Sequence, residues 1–177
     1  MRIIAIPATG KITNIDHVVN DLNELGRKTN VMIQLFNADL IFSKLHVVSA
    51  VEHAIRSFQQ NQNATSTLAL EVLLYIAGVR QIHKAIKKVG ITNTIKEFII
   101  VIAGGIKGVP GFDGKLSNTL IDSVLTTTQL TQKNTEITGN LSTLKKFGIS
   151  NDEIKMVDPA QYEGLILEKI AMVDIIK

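Results

Sequence analysis

The chain has no cysteine among its 177 residues, which excludes structural disulfides, thiolate metal sites and cysteine nucleophiles. No apolar run approaches the ~18 residues needed to span a bilayer, so no membrane segment is expected. Arginine is scarce, present only as Arg2, Arg27, Arg56 and Arg80, and the other basic residues are lysines. Met1-Arg2 leads straight into the strand-like Ile3-Ile4-Ala5-Ile6-Pro7 with no small-residue cleavage site; no export leader is expected, and the reading is a soluble, cytoplasmic protein. The composition, 45% hydrophobic against 20% charged, is that of a globular chain. A domain of this length buries about 70% of its extended-chain surface and needs no disulfide or metal to complete its core. The net charge of +3 is only mildly basic; it suits a nucleic-acid partner only if the basic residues gather on one face.

Hydrophobic periodicity predicts a small sheet among helices. Residues 2–6 read as a strand ended by Pro7, and 31–36 and 97–102 as two more. Asn14 is placed to cap a helix reaching Leu25, with Gly26 as its stop. Ser43 precedes a long amphipathic helix whose stripe is Val47, Val48, Val51, Ala54, Ile55 and Phe58, with His46, Ser49, Glu52, His53 and Arg56 opposite. Residues 68–77 form a helix apolar nearly all round, fit for the middle of a domain. Gly78 breaks it, and 80–89 form a short helix closed by Gly90. Further helices are expected at 117–125, 141–147 and 162–177, with Ser150-Asn151-Asp152-Glu153 a capping box. The expected class is α/β: a mixed or antiparallel sheet of three to four strands flanked by about seven helices, in one domain spanning 1–177 with a flexible insertion at 104–140.

The helix at 80–89 is the most informative stretch. At 100° per residue, Arg80, His83, Lys84, Lys87 and Lys88 fall within about 140° of arc, with Ile82, Ala85, Ile86 and Val89 opposite. This is either a solvated face or a phosphate-contacting surface, with Arg80 placed to stack on a base or fork onto a phosphate. Glu71, alone in an apolar helix, is expected to be a structural partner of an arginine or of backbone N–H groups; a catalytic acid would need a second carboxylate beside it. The glycine-rich loop 104–114 follows a strand as phosphate-binding loops do. It fails the nucleotide signatures, because Val109 stands at the first glycine position of a Walker-type loop ending in Gly114-Lys115, and Leu116 replaces the hydroxyl residue that would hold magnesium. It reads as a mobile surface loop. His17, His46, His53 and His83 show no metal-ligand spacing, and no nucleophile elbow is present. No catalytic residue, metal site or cofactor is expected. Near the end, Ile166, Leu167, Ile170 and Val173 make one apolar face and Leu165, Ala171, Met172, Ile175 and Ile176 a second. The surplus face is either a partner surface or the sign of a helix sandwiched within its own domain.

The stretch Leu68-Ala-Leu-Glu71-Val-Leu-Leu-Tyr75-Ile-Ala-Gly78-Val-Arg80-Gln-Ile-His83-Lys-Ala-Ile86 resembles the core motif of the smallest KEOPS subunit, the PRPK-binding protein (TPRKB) family. Asn37-Ala38, the helix 48–58 and Leu165 to Val173 resemble the flanking segments in the expected order, while 104–140 departs from the pattern. The resemblance implies a non-catalytic subunit of the complex that makes threonylcarbamoyl-adenosine in tRNA. In archaeal members this subunit holds the single-stranded CCA 3′ end of tRNA and docks on the kinase-like ATPase subunit. By position, Arg80, Gln81 and Ile82 match the motif associated with the RNA end, and helix geometry adds Lys84, Lys87 and Lys88. Met172, Val173, Ile175 and Ile176 match the segment that engages the ATPase. The Lys, Ile and Asn bias fits an archaeon with an A/T-rich genome. Two rival readings are a regulatory protein-interaction subunit without RNA binding of its own, and a small nucleotide-using enzyme built on the 104–114 loop.

Overall fold

The computed structural model describes residues 1–175. In chain order the elements are β1 (Arg2–Thr9), α1 (Ile15–Thr29), β2 (Met32–Asn37), α2 (Lys44–Gln59), α3 (Leu68–Ala77), α4 (Ile82–Val89) and β3 (Glu97–Gly104). They continue as α5 (Asn118–Thr128), β4 (Thr131–Gln132), α6 (Leu141–Phe147), α7 (Asn151–Lys155) and α8 (Tyr162–Met172). Packing divides the chain into two compact units, one of residues 1–38 and 91–135, the other of 39–90 and the chain from 136 onward. The α/β class is as expected from the sequence.

The first unit is an antiparallel four-stranded sheet of order β2-β3-β1-β4. Central β3 is a continuous apolar run buried on both faces. On one face Ile6, Ala8, Ile33, Leu35, Phe98, Ile100 and Ile102 pack with Leu22 of α1 and with Leu120 and Val124 of α5. Two expected breaks do not occur. Strand β1 runs through Pro7, whose carbonyl accepts from Lys133 N at 2.8 Å, so its missing N–H lies on the β4 side where that strand has ended and costs no bond to β3. Helix α1 runs past Gly26 to a left-handed cap at Asn30. Gly26 is there for approach: a Cβ would lie 2.7 Å from the Val31 carbonyl oxygen, and Val31 N donates to the Gly26 carbonyl. The 104–114 loop, read from sequence as mobile surface, is tied down instead. Gly105 N donates to Gly114 O, Gly114 N to Asn30 O and Ile106 N to Phe112 O, and the Ile106 and Val109 side chains are buried.

The second unit is helical. Ser43, Thr67, Asn140 and Ser150 cap α2, α3, α6 and α7 with their side chains, the last two as capping boxes. Helix α3 lies in the middle, with Leu68, Val72, Leu74, Tyr75, Ile76 and Ala77 fully buried. It packs against α2, α4 and α8.

Glu71 of α3 is also fully buried, and it takes the structural role expected. Its carboxylate accepts from the backbone N–H groups of Ala64 and Thr65, from Thr65 Oγ1 at 2.8 Å and from Ser57 Oγ. One carboxylate thereby closes the loop between α2 and α3. Glu71→Gln turns an amide NH₂ toward these donors, and the variant should lose about 3 kcal/mol of stability in chemical denaturation.

Candidate functional site

The last carbonyls of a helix have no partner inside it, and buried ones must find another. At the C-terminus of α3, Gly78 takes the left-handed conformation that ends the helix, with φ 62°. Its Cα is so close to Phe147 and to Lys169 that a Cβ would come within 3.1–3.3 Å of them. His46 Nε2 donates to the Ile76 carbonyl at 3.0 Å, while its Nδ1 accepts from Phe42 N at 3.1 Å, which assigns the neutral tautomer. Lys88 Nζ donates to the Ala77 carbonyl at 2.6 Å and lies 3.7 Å from the centre of the Phe147 ring. Two basic side chains therefore serve α3, and neither faces solvent as the helical wheel predicts. His46 is fully buried, and burial pushes its pKa down to about 4, the Lys88 charge adding to the effect. Burial likewise pushes Lys88 down to about 8, helped by the like charge of Lys169.

Helix α4 starts at Ile82 rather than at 80, with Gln81 as its cap. Ala85 and Val89 are its buried face and Ile82 is half-buried. Gln81, His83, Lys84 and Lys87 are exposed, and so is Ile86, at 54%, which the wheel places inward. The cationic face is thus narrower than the sequence suggests: Lys84 and Lys87 are on it, Lys88 is not.

Arg80 precedes the helix and reaches elsewhere. Its Nη1 donates to the Val173 carbonyl at 3.3 Å and its Nη2 to the Gln62 carbonyl at 3.2 Å. It joins the end of α8 to the loop after α2, as a cation at a helix C-terminus does favourably. Val173, expected in the partner segment, is fully buried, with Ile166 and Ile170. Met172 and Ile175 are 38% and 70% exposed and form the outer side of the same turn. Ile176 lies outside the described residues. The second apolar face is real but smaller than expected, since Leu165 turns inward.

Three residues that sequence reasoning gave no role complete the arrangement. Asp174 accepts from Tyr75 OH on one oxygen and is 2.7 Å from His53 Nδ1 on the other. Burial raises the Tyr75 pKa, and the Asp174 hydrogen bond adds to the rise, so the phenol stays a donor. Tyr75, Arg80 and Asp174 line an open polar cleft of about 250 Å³ with Ser57 and the 61–63 loop. The one signal in the sequence was Asp174 itself, an acid amid apolar residues at the chain's end. Among the described residues no group of three or more histidines and carboxylates is placed to hold a metal ion, and no helix is long and apolar enough to cross a membrane.

The buried His46 makes stability depend on acidity. Because the unfolded chain takes up its proton near pH 6.5 and the folded chain only near 4, stability should fall by about 3 kcal/mol as pH drops through that window. In melts run from pH 7 to 4, His46→Gln should show a shallower decline than the parent, since glutamine does not titrate.

Residues 10–174 match the family described as kinase binding protein CGI-121. A relative named regulatory protein Cgi121, from Methanocaldococcus jannaschii, is 35% identical over 71 residues, which are 40% of this chain and 43% of that protein. The aligned stretch thus spans under half the length of that curated relative. With the family match extending over nearly the whole chain, from before α1 to the turn after α8, this protein belongs to the CGI-121 family of kinase-binding proteins.

Proposed function

We propose that this chain is a non-catalytic KEOPS subunit that docks on a kinase-like ATPase partner and holds the single-stranded CCA end of tRNA, in support of threonylcarbamoyl-adenosine modification. The partner side is the exposed pair Met172 and Ile175. The RNA side is Arg80, Gln81 and Ile82 with the exposed Lys84 and Lys87. Lys88 and Val173 act from within, one on α3 and the other as the packed base of the terminal turn. The observation that carries the reading is the Arg80 hydrogen bond to the Val173 carbonyl, because it joins the first residue of the RNA-associated motif to the partner-associated turn. The mechanism is positional: RNA and ATPase held on one adaptor have a high effective concentration for each other. With about three phosphate contacts on single-stranded RNA, the binding constant should fall with a log–log salt slope of about −2.

A second reading, a regulatory subunit that binds protein alone, is favoured by the use of Lys88 and two Arg80 donors inside the unit. Binding of the isolated chain to tRNA with and without its terminal CCA separates the two. The proposal expects at least tenfold weaker binding without CCA, and a similar loss for the double variant Lys84→Glu/Lys87→Glu. Equal binding to both RNAs would remove the CCA assignment, and no binding at ~150 mM salt would leave the protein-only reading. Ile175→Asp should abolish capture of the ATPase subunit while leaving the melting temperature unchanged, as the side chain is exposed.

A further inference from the structure

The terminal turn 172–175 is held from its inner side by three separate elements. His53 of α2 and Tyr75 of α3 grip the two oxygens of Asp174, and their rings lie 5.6 Å apart. Arg80, ahead of α4, holds the Val173 carbonyl. The turn itself is tight: Val173, Asp174 and Ile175 each donate to a carbonyl three residues back. Its outer side carries Met172 and Ile175.

An arginine side chain has many rotamers, and a flexible one must lose them when it binds. Here the guanidinium is fixed at two points by carbonyls, one on the 60–67 loop and one on the terminal turn. Arginine carries five N–H donors; with two of Arg80's donors on these carbonyls, the rest of its fork remains for an incoming phosphate or base. One of the two anchors of the fork, the Val173 carbonyl, therefore sits on the turn that Asp174 helps to hold.

We infer that Tyr75, His53 and Asp174 form a latch that pre-orients Arg80 for RNA, so that a protein partner seated on Met172 and Ile175 tightens RNA binding by ordering the same turn. The inference rests on the proposed function and adds a regulation to it. It makes Asp174 a positioning residue that touches neither ligand. Coupling of this kind is reciprocal: RNA must tighten partner binding by the same factor.

Charge gives the test its sign. Asp174 is an anion lining the Arg80 cleft, so if it acted only through its field, its removal would strengthen binding of a polyanion. The latch requires the opposite. Asp174→Ala should weaken binding of a CCA-ended tRNA transcript about fivefold, and Tyr75→Phe about twofold to threefold. Asp174→Asn should stay within twofold of the parent, because its oxygen can accept from Tyr75 and its NH₂ can donate to unprotonated His53 Nδ1. Adding the ATPase subunit should tighten RNA binding to the parent about threefold to tenfold, and this gain should vanish in Ile175→Asp. Melting curves of each variant check that the fold is retained, and Tyr75→Phe keeps the test decisive should Asp174→Ala unfold.

If both Ala and Asn at position 174 leave RNA binding unchanged or tighter while Arg80→Gln weakens it, the latch is overturned and the RNA assignment stands. If the parent chain binds no RNA, the two fall together.

Discussion

Helix α3 is buried along almost its whole length, so its final carbonyls have no access to water, and the chain must supply their donors itself. It supplies two basic side chains, His46 from α2 and Lys88 from α4. Each comes from a helix that packs on α3, so the pairings that end the central helix also fix the neighbours around it. The Phe147 ring of α6 sits between them, edge-on to the His46 imidazole and beneath the Lys88 ammonium. The burial that puts these donors in place also depresses the basicity of both groups, while an unsatisfied buried carbonyl would cost about 1–3 kcal/mol.

The same requirement recurs at the end of α8, where Arg80 serves the Val173 carbonyl. Of the basic residues that the sequence gathers between 80 and 88, two are thus committed to helix ends and three, His83, Lys84 and Lys87, are exposed. This division gives the surface its character. A broad cationic stripe would attract any polyanion. Two exposed lysines and one carbonyl-held guanidinium offer fewer free charges, so the surface is less suited to general attraction of polyanions. The chain belongs to a family described as kinase-binding, and the turn carrying Met172 and Ile175 adds an exposed apolar patch to this unit.

The sheet unit shows how local signals mislead when their partners are unseen. Pro7 and Gly26 are both reasonable stop signals, yet strand and helix run through them. Pro7 is tolerated because its N–H side faces a neighbour strand only two residues long. Gly26 serves contact with the Val31 carbonyl and not termination. The 104–114 loop, glycine-rich and so open to a mobile reading, is held by hydrogen bonds to its own ends and to Asn30.

Periodicity and capping chemistry sufficed for the α/β class, for the strand cores, for α3 with its Gly78 stop, for the span of α6 and for the Ser150 capping box of α7, because these depend on residues within one or two turns of each other. They sufficed also for Glu71, since a lone buried carboxylate admits few fates. The fates of Lys88, His46 and Val173 were not written locally. A helical wheel ranks side chains by angle, whereas a long lysine or a histidine turns toward whichever unpaired carbonyl lies within reach, and those carbonyls belong to α3, distant in sequence from His46. The His53–Asp174–Tyr75 grouping was invisible for the same reason: it joins positions 121 and 99 residues apart, and only the folding of α2, α3 and α8 against one another brings them together.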